Sequence, residues 1–297
     1  ALGTTVRDEL GGEALGLDVA GMVHRLGQTV FGLQVGQAVG TLAREVFGST
    51  DIGLPLLATP VPVLVPGNVA AFGEGLEVPD DEVRLFLALR EAAATRLLTH
   101  VPWLRAHLLG AVDAYARGIT IDTGQLEEAV RSVDPTDPAA LQAALSSGVF
   151  GPQTTPEQQV ALNRLETSLA LVEGWVDEVS AAAAAPHLPH TVALREMLRR
   201  RRAAGGPAEQ TLATLLGLQL RPRRLRDAAA LWAAIAAEHG QSGRDAVWSH
   251  PDLMPTAADL DDPAGYAARR READAESAAL DAAIADLLDR GDRPPTD

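Results

Sequence analysis

The sequence predicts a mainly α-helical fold with one small extended segment near residues 52–72. Two stretches, residues 80–100 and 155–184, repeat apolar side chains at the helical period. Residues 51–72 are instead rich in Pro and Val, which rules out a continuous helix there and favours short extended pieces. With 297 residues, the chain is long enough to bury a substantial core.

The first helix is expected over residues 15–47, after a Gly-rich end (1–13) that is expected to be disordered. A row of glycines at four-residue spacing would let another backbone approach this helix closely: Gly32, Gly36 and Gly40. In a membrane that spacing marks a dimerisation face, but the Arg and Gln residues within 23–46 argue against a lipid-facing span. A buried central helix is the favoured interpretation.

Extended pieces are expected around residues 61–65 and 69–72, and the next helix should begin at Asp80, directly after Pro79, and continue to His100. This helix has one core-facing stripe, formed by Val83, Phe86, Leu87, Ala94, Leu97, Leu98 and Val101.

Thr155-Pro156 predicts the start of a long helix, because Thr is a favourable N-cap and Pro is favourable at the first helical position. Its apolar stripe comprises Leu162, Leu165, Leu169, Val172, Val176 and Val179, with Trp175 beside it. The remaining helices are expected over residues 103–117, 122–130, 139–145, 191–203, 207–216, 223–238 and 265–288, with a polar loop over 245–263 and disorder over 291–297. The chain is expected to form a single unit over residues 1–297, with a division into two lobes near residue 150 as the alternative.

Composition excludes several classes of partner. The formal net charge is −15 and all 25 basic residues are Arg, so neither nucleic acid nor anionic lipid is an expected partner. The chain has no Cys, so any zinc site would need His and carboxylates alone. With no recognisable signal peptide and no membrane span, we expect a cytoplasmic protein.

The least ordinary feature of residues 80–100 is a charged pair, Arg90 and Glu91, on the core-facing side of the helix. Charged side chains are rarely buried without a partner. Either both side chains reach from the edge of the stripe into water, or they are paired inside the protein.

A second charged feature lies on the helix over residues 155–184. Glu166, Ala170, Glu173 and Asp177 share one face beside the apolar stripe. Such a pattern is usually a solvated acidic face. Gly174 favours close packing here, because glycine inside a helix costs about 1 kcal/mol relative to Ala.

Several stretches together resemble the actinobacterial family of zincin-like zinc-dependent metalloproteases, whose members are often labelled hydrolases. The resemblance lies in LVPGNVAAF, LREAAATRLLTHVPWLRAHL, TPEQQVALNRLETSLALVEGWVDEV, the run from LREMLRRRR to AAALW, and HPDLMP. Together these stretches cover most of residues 61–262.

The resemblance implies where a zinc site would lie. Family members with an intact site have HEVTH in place of residues 90–94 and EGH in place of residues 173–175. By this likeness Arg90 and Ala94 replace the two zinc-binding His, and Trp175 replaces the His that follows two residues after Glu173. Glu91 keeps the place of the general base and Glu173 that of a zinc ligand, with Glu166 and Asp177 in support. No zinc is expected to bind, because the ligand His positions are lost.

Three functional hypotheses follow. The favoured one is a non-catalytic binding or scaffold protein with an unknown protein or peptide partner, in which the Arg90 guanidinium pairs with Glu173. The alternative is an active zinc-dependent metallohydrolase with an atypical site. A second alternative is an anion-binding module that uses Arg clusters over residues 195–202 and 221–226 with Arg244, although these arginines are more simply read as helix caps and carboxylate partners.

Overall fold

The structure, a computed structural model, describes residue 32 and residues 35–37, 39–117, 155–203 and 222–291. The helices predicted over 122–130, 139–145 and 207–216 lie outside these residues, as do both ends predicted to be disordered, apart from Gly291. The described residues form a helical segment that ends at Ala43, then eight helices, α1 to α8, and three short 3-10 helices. Among them, no helix is both long and apolar enough to cross a bilayer.

The helices follow in the order α1 (Pro66–Gly73), α2 (Asp80–His100), α3 (Leu104–Arg117), α4 (Pro156–Ala184), α5 (Thr191–Ala203), α6 (Pro222–Ala246), α7 (Ala257–Asp261) and α8 (Tyr266–Gly291). The 3-10 helices are Val247–Ser249, Pro251–Leu253 and Pro263–Gly265. Helix α6 is longer than predicted and is interrupted at Gly240, whose φ is 71°. The mainly α fold class is thereby confirmed.

Local sequence explains the two helices that carry the charged residues. Helix α2 begins directly after Pro79 and has three acidic residues in its first turn, where the helix dipole favours negative charge. Helix α4 begins as predicted: the Thr155 side chain accepts a hydrogen bond from the N–H of Gln158 at 3.1 Å, and Pro156 occupies the first position.

Helix α4 is central to the packing. It packs most extensively against α6, and then against α2 and α3. Every residue of the predicted α2 stripe is buried. In the predicted α4 stripe the four central residues are buried, and Leu162 and Val179 at its ends are half-buried. A second core cluster joins α1 and the first half of α2 to α5, through residues such as Val69, Phe86 and Leu194.

The region before α2 differs from the prediction in two ways. Residues 69–72 are helical, within α1, because Pro66 supplies a favourable first helical position. The segment around residues 61–65 is extended but forms only one antiparallel bridge, between Leu64 and Gly48. Residues 46–65 lie over α2 and are called the covering segment below.

The expectation of a buried glycine-rich central helix is wrong for the part that the structure describes. That helix ends at Ala43, not at Phe47. Gly36 and Gly40 are exposed, and a Cβ added at either would contact nothing within 4 Å. The spacing of the glycines alone could not reveal whether a partner packs against them.

Candidate functional site

Arg90 and Glu173 face each other between α2 and α4. One guanidinium nitrogen of Arg90 lies 3.1 Å from Glu173 Oε2, and both residues are buried. A second guanidinium, from Arg202 at the end of α5, lies 2.7 Å from the same oxygen. The predicted pairing of Arg90 with Glu173 is therefore confirmed, and Arg202 is a partner that the sequence did not suggest.

Asp177 continues this arrangement one turn further along α4. Its Oδ2 accepts hydrogen bonds from Arg195 Nε at 2.9 Å and from Arg199 Nη2 at 2.6 Å. Its Oδ1 lies 3.7 Å from Arg90 Nη1, so Arg90 contacts both acidic residues. These six residues are called the ionic layer: Arg90, Glu173, Asp177, Arg195, Arg199 and Arg202.

The solvated-face interpretation of α4 is thus wrong, because Glu166, Ala170, Glu173 and Asp177 are all buried. Burial is possible because α5 ends in four consecutive arginines, Arg199 to Arg202, and two of these reach Glu173 and Asp177. The interpretation of this arginine run as a set of carboxylate partners is confirmed.

The Glu91 carboxylate is fully engaged by the covering segment. The backbone N–H groups of Ser49, Thr50 and Val63 donate to it at 2.9 to 3.3 Å. The hydroxyls of Ser49 and Thr50 lie 2.5 and 2.7 Å from its oxygens. The single Ser49 hydroxyl proton is shared with the Val61 carbonyl oxygen, which lies 2.8 Å from Ser49 Oγ. An ionised carboxylate offers about four lone-pair sites, so the other four donors already match its hydrogen-bonding capacity.

A half-buried carboxylate, that of Asp51, holds the same segment. Asp51 accepts a hydrogen bond from the N–H of Phe47 at 3.0 Å, and Arg202 donates to the Asp51 carbonyl at 2.6 Å. Arg201 lies over the Phe47 ring at 4.0 Å from its centroid. The end of α5 therefore fixes the covering segment against the ionic layer.

The space left between these groups is a cavity of about 20 Å³, near the volume needed for one water molecule. It is lined by Phe47, Thr50, Asp51, Leu64, Leu87, Arg90, Glu91, Ala94, Glu173, Val176 and Arg202. Of the residues predicted for the site, Arg90, Glu91, Ala94 and Glu173 meet here.

Trp175 and Glu166 are placed elsewhere. The Trp175 indole N–H donates to Asp245 at 3.0 Å, on the side of α4 that packs against α6, so this side chain points away from the cavity. Glu166 is buried two turns before Glu173 and does not line the cavity. Of the ionic layer, sequence reasoning missed the individual roles of Arg195, Arg199 and Arg202, for which the only signal was their spacing on one helix.

Burial and charge act in opposite directions on the pKa values of this layer. Burial raises the pKa of Glu173, while Arg202 and Arg90 act against that rise. Burial would also raise the pKa of Asp177, but hydrogen bonds from Arg195 and the charge of Arg90 outweigh it and hold the pKa below its usual value. Burial, followed by the charge of Arg202, lowers the pKa of Arg90.

The residues around the cavity do not fit a zinc ion. Zinc in proteins takes Cys, His, Asp or Glu ligands, and Arg90 and Ala94 offer none of these. Within the described ranges, no group of three or more His, Cys, Asp or Glu could hold a metal ion. Two guanidinium groups next to Glu173 would also repel a cation.

The fold is that of an all-helical zincin-like domain, in which α2 and α4 bring an acidic residue each to one small cavity. A family model described as zincin-like metallopeptidase matches residues 3–267, and the chain belongs to this family. No curated protein sequence matches the chain.

Among solved structures, the chain is similar to a protein from Chloroflexus aurantiacus described as a "putative hydrolase with a novel fold". The TM-score is 0.59 at 20% sequence identity, over 84% of this chain and 71% of the other. At that identity the similarity supports the fold alone.

Proposed function

We propose that this chain is a non-catalytic member of the zincin-like metallopeptidase family, which acts by binding a protein or peptide partner or as a scaffold. In this proposal the zinc site has degenerated to residues 90–94 (REAAA), and the ionic layer has taken its place. The observation that carries the proposal is the full engagement of the Glu91 carboxylate by the covering segment.

A general base must present an oxygen to the proton that it removes, directly or through one water. Both oxygens of Glu91 already accept hydrogen bonds from Ser49 and Thr50, at distances as short as 2.5 and 2.7 Å. Deprotonating a water would require several of these bonds to break. The Glu91 carboxylate is better suited to fixing the covering segment on α2 than to catalysis.

Arg90 supports the same conclusion through its charge. In a zinc hydrolase the metal neutralises nearby carboxylates and activates a bound water. Here the guanidiniums of Arg90 and Arg202 neutralise Glu173, at 3.1 and 2.7 Å. Arginine cannot ligate a metal or release a proton near neutral pH, so it supplies the charge without the chemistry.

The covering segment also occupies the space that a substrate would need. A Cβ added at Gly48 would lie 2.4 Å from the Val63 carbonyl oxygen and 2.5 Å from Glu91 Oε2, so the chain passes very close to α2 here. The remaining cavity of about 20 Å³ is far smaller than the pockets of roughly 300–1,000 Å³ that hold small-molecule ligands.

The alternative of an anion-binding module is not favoured by the arginines of α5. Arg195, Arg199 and Arg202 are each paired with buried carboxylates of the chain itself. An incoming anion would have to displace those carboxylates. In the 221–226 cluster, Arg224 pairs with Asp261 and Arg226 lies 3.8 Å from Glu196.

Elemental analysis and zinc titration of tag-free protein test the proposal against an active metallohydrolase. We expect less than stoichiometric zinc and no zinc-dependent rise in thermal stability. The matched control is the Arg90→His/Ala94→His variant, which restores the two imidazoles and should bind zinc more tightly than the parent protein. Stoichiometric zinc in the parent, removed by chelator together with a peptidase activity, would contradict the proposal.

A further inference from the structure

The C-terminal helix α8 leaves the body of the protein soon after it begins. Every residue from Arg271 to Leu288 is exposed, so none of these eighteen positions is covered by the part of the chain that the structure describes. Most helical stability in proteins comes from packing of an apolar face against a partner. Among the residues that the structure describes, this part of α8 has no such partner.

One face of this helix carries the apolar side chains. From Tyr266 this face continues through Ala273, the small polar Ser277, and then Leu280, Ile284 and Leu287, at intervals of seven, four, three, four and three residues. The exposed fractions of Leu280, Ile284 and Leu287 are 62%, 47% and 66%. Alternating intervals of three and four residues are those by which one helix packs along another, and a contiguous exposed apolar patch marks an interaction surface.

A cleft opens at the start of this stripe. Its volume is about 280 Å³, and it lies between the last turns of α6 and the first turns of α8. Ile235, Val247, Leu253 and Tyr266 form its apolar wall, so Tyr266 belongs both to the cleft and to the stripe. The cleft is large enough to take one bulky apolar side chain at the end of a partner segment that lies along α8.

Charge determines which kind of partner fits. Positions 271–288 include five carboxylates and one arginine. By helical spacing, Asp281 borders one edge of the stripe and Glu276 borders the other, while Asp274, on the same edge as Asp281, is paired with Arg270 at 3.0 Å. This acidic border would repel both an anionic lipid surface and a second copy of the same helix.

We infer that the apolar stripe of α8 and the adjoining cleft are a docking surface for a basic amphipathic helix of another protein. The partner helix has apolar residues at intervals of three and four, Lys or Arg beside them, and a bulky apolar side chain that enters the cleft. This mode of recognition joins apolar burial with charge complementarity. The proposed docking surface contains no residue of the ionic layer, so the result of a peptide-binding experiment is independent of the result of the zinc titration.

The test uses full-length protein and a designed helical peptide with a leucine stripe, lysine at the flanking positions and one tryptophan at its end. Fluorescence anisotropy should show saturable binding that weakens as salt is raised. Ile284→Asp, which places a charge in the stripe, should weaken binding by about tenfold or more. Ala282→Asp is the matched control, because it adds the same charge on the opposite face of the helix and should leave binding within about twofold.

Other outcomes would overturn the inference. One is equal binding of a peptide with glutamate at the flanking positions, or of one whose leucines are scrambled. Another is self-association in sedimentation equilibrium that Ile284→Asp abolishes, which would make a second copy the occupant. Binding to vesicles of phosphatidylserine and phosphatidylcholine, or no peptide binding by the parent protein, would also exclude a basic helical partner. Circular dichroism checks that both variants retain the fold.

Discussion

The two faces of α4 are stabilised by different physical effects. One face turns Glu173 and Asp177 towards arginines from α2 and α5. The other packs Leu171, Gly174 and Trp175 against α6, where the Trp232 indole N–H donates to the Leu171 carbonyl at 2.8 Å. Apolar burial is non-directional and scales with area, whereas each buried charge requires its own partner. The ionic face should therefore be far less tolerant of substitution than the apolar face.

The largest effect is expected for Asp177→Asn, which removes the charge that holds Arg195 and Arg199. Removing one partner of a buried ionic group costs about 3–5 kcal/mol, because the other charges remain buried. Urea unfolding measures the loss. Glu178→Gln is the control, since Glu178 is more exposed and pairs only with Arg195 at 2.8 Å, so its loss should stay within about 1 kcal/mol. If Asp177→Asn lowered the free energy of unfolding by no more than Glu178→Gln does, the ionic layer would contribute little to stability.

The parent protein and the Asp177→Asn variant also allow a test of pH dependence. The pKa of Asp177 is lowered in the folded protein, so its contribution to stability is present above the unfolded value of about 3.9 and is lost as the pH falls through the folded value. The gap in unfolding free energy between the parent protein and Asp177→Asn should therefore be widest at neutral pH and should narrow below about pH 4. If the difference in unfolding free energy instead grew as the pH fell, the lowered pKa of Asp177 would be contradicted.

Glu91→Gln should lower the free energy of unfolding by about 3 kcal/mol, because an amide cannot accept all the hydrogen bonds from Ser49 and Thr50 and brings donors of its own. A glutamate that served mainly as a general base would leave stability nearly unchanged and would affect only activity. A double-mutant cycle with Thr50→Val isolates the contact, and we expect the two losses to be clearly non-additive. Simple additivity would mean that the covering segment is not held by Glu91.

On the apolar face, Gly174→Ala should cost about 2 kcal/mol although alanine is the better helix former. A Cβ at Gly174 would lie 2.6 Å from Ala228 Cβ and 2.7 Å from the Ala229 backbone nitrogen, so α4 and α6 would have to separate. Gly110→Ala in α3 is the matched control, because a Cβ there contacts nothing within 4 Å. It should stabilise the protein by up to about 1 kcal/mol. Thermal unfolding of both variants measures whether Gly174→Ala lowers and Gly110→Ala raises the stability of the protein.

The smallest effect is expected for Trp175→Phe, at about 1 kcal/mol, from loss of the hydrogen bond to Asp245. In a protein that already carries Asp245→Ala this hydrogen bond is absent, so Trp175→Phe should lower the free energy of unfolding appreciably less. If Trp175→Phe instead destabilised the protein as strongly as Asp177→Asn, the contrast between the two faces of α4 would be wrong.

Several elements could be predicted closely from the sequence. The bounds of α2 and the start of α4 follow from Pro79, Thr155 and Pro156, because capping and helix-initiation signals act within one turn of the chain. The pairing of Arg90 with Glu173 could also be predicted, because a guanidinium on a core-facing stripe needs a carboxylate partner and the family resemblance places Glu173 in the same site.

Other features depend on contacts between distant parts of the chain. Whether Glu173 and Asp177 face water or a core depended on Arg199 and Arg202, which come from a different helix. The engagement of Glu91 depended on Ser49, which lies 42 residues earlier in the sequence. Helical periodicity identifies which side chains share a face, but it carries no information about which distant segment will cover that face.

The sequence by itself determined helices α2 and α4, their apolar stripes and the presence of charged residues beside those stripes, because these depend on residue type and on spacing within a few turns. Only the tertiary structure decided that the covering segment closes over Glu91, that α5 neutralises the acidic face, and that no other described part of the chain covers the stripe of α8. These outcomes follow from the meeting of surfaces far apart in the chain, where shape and charge must match together.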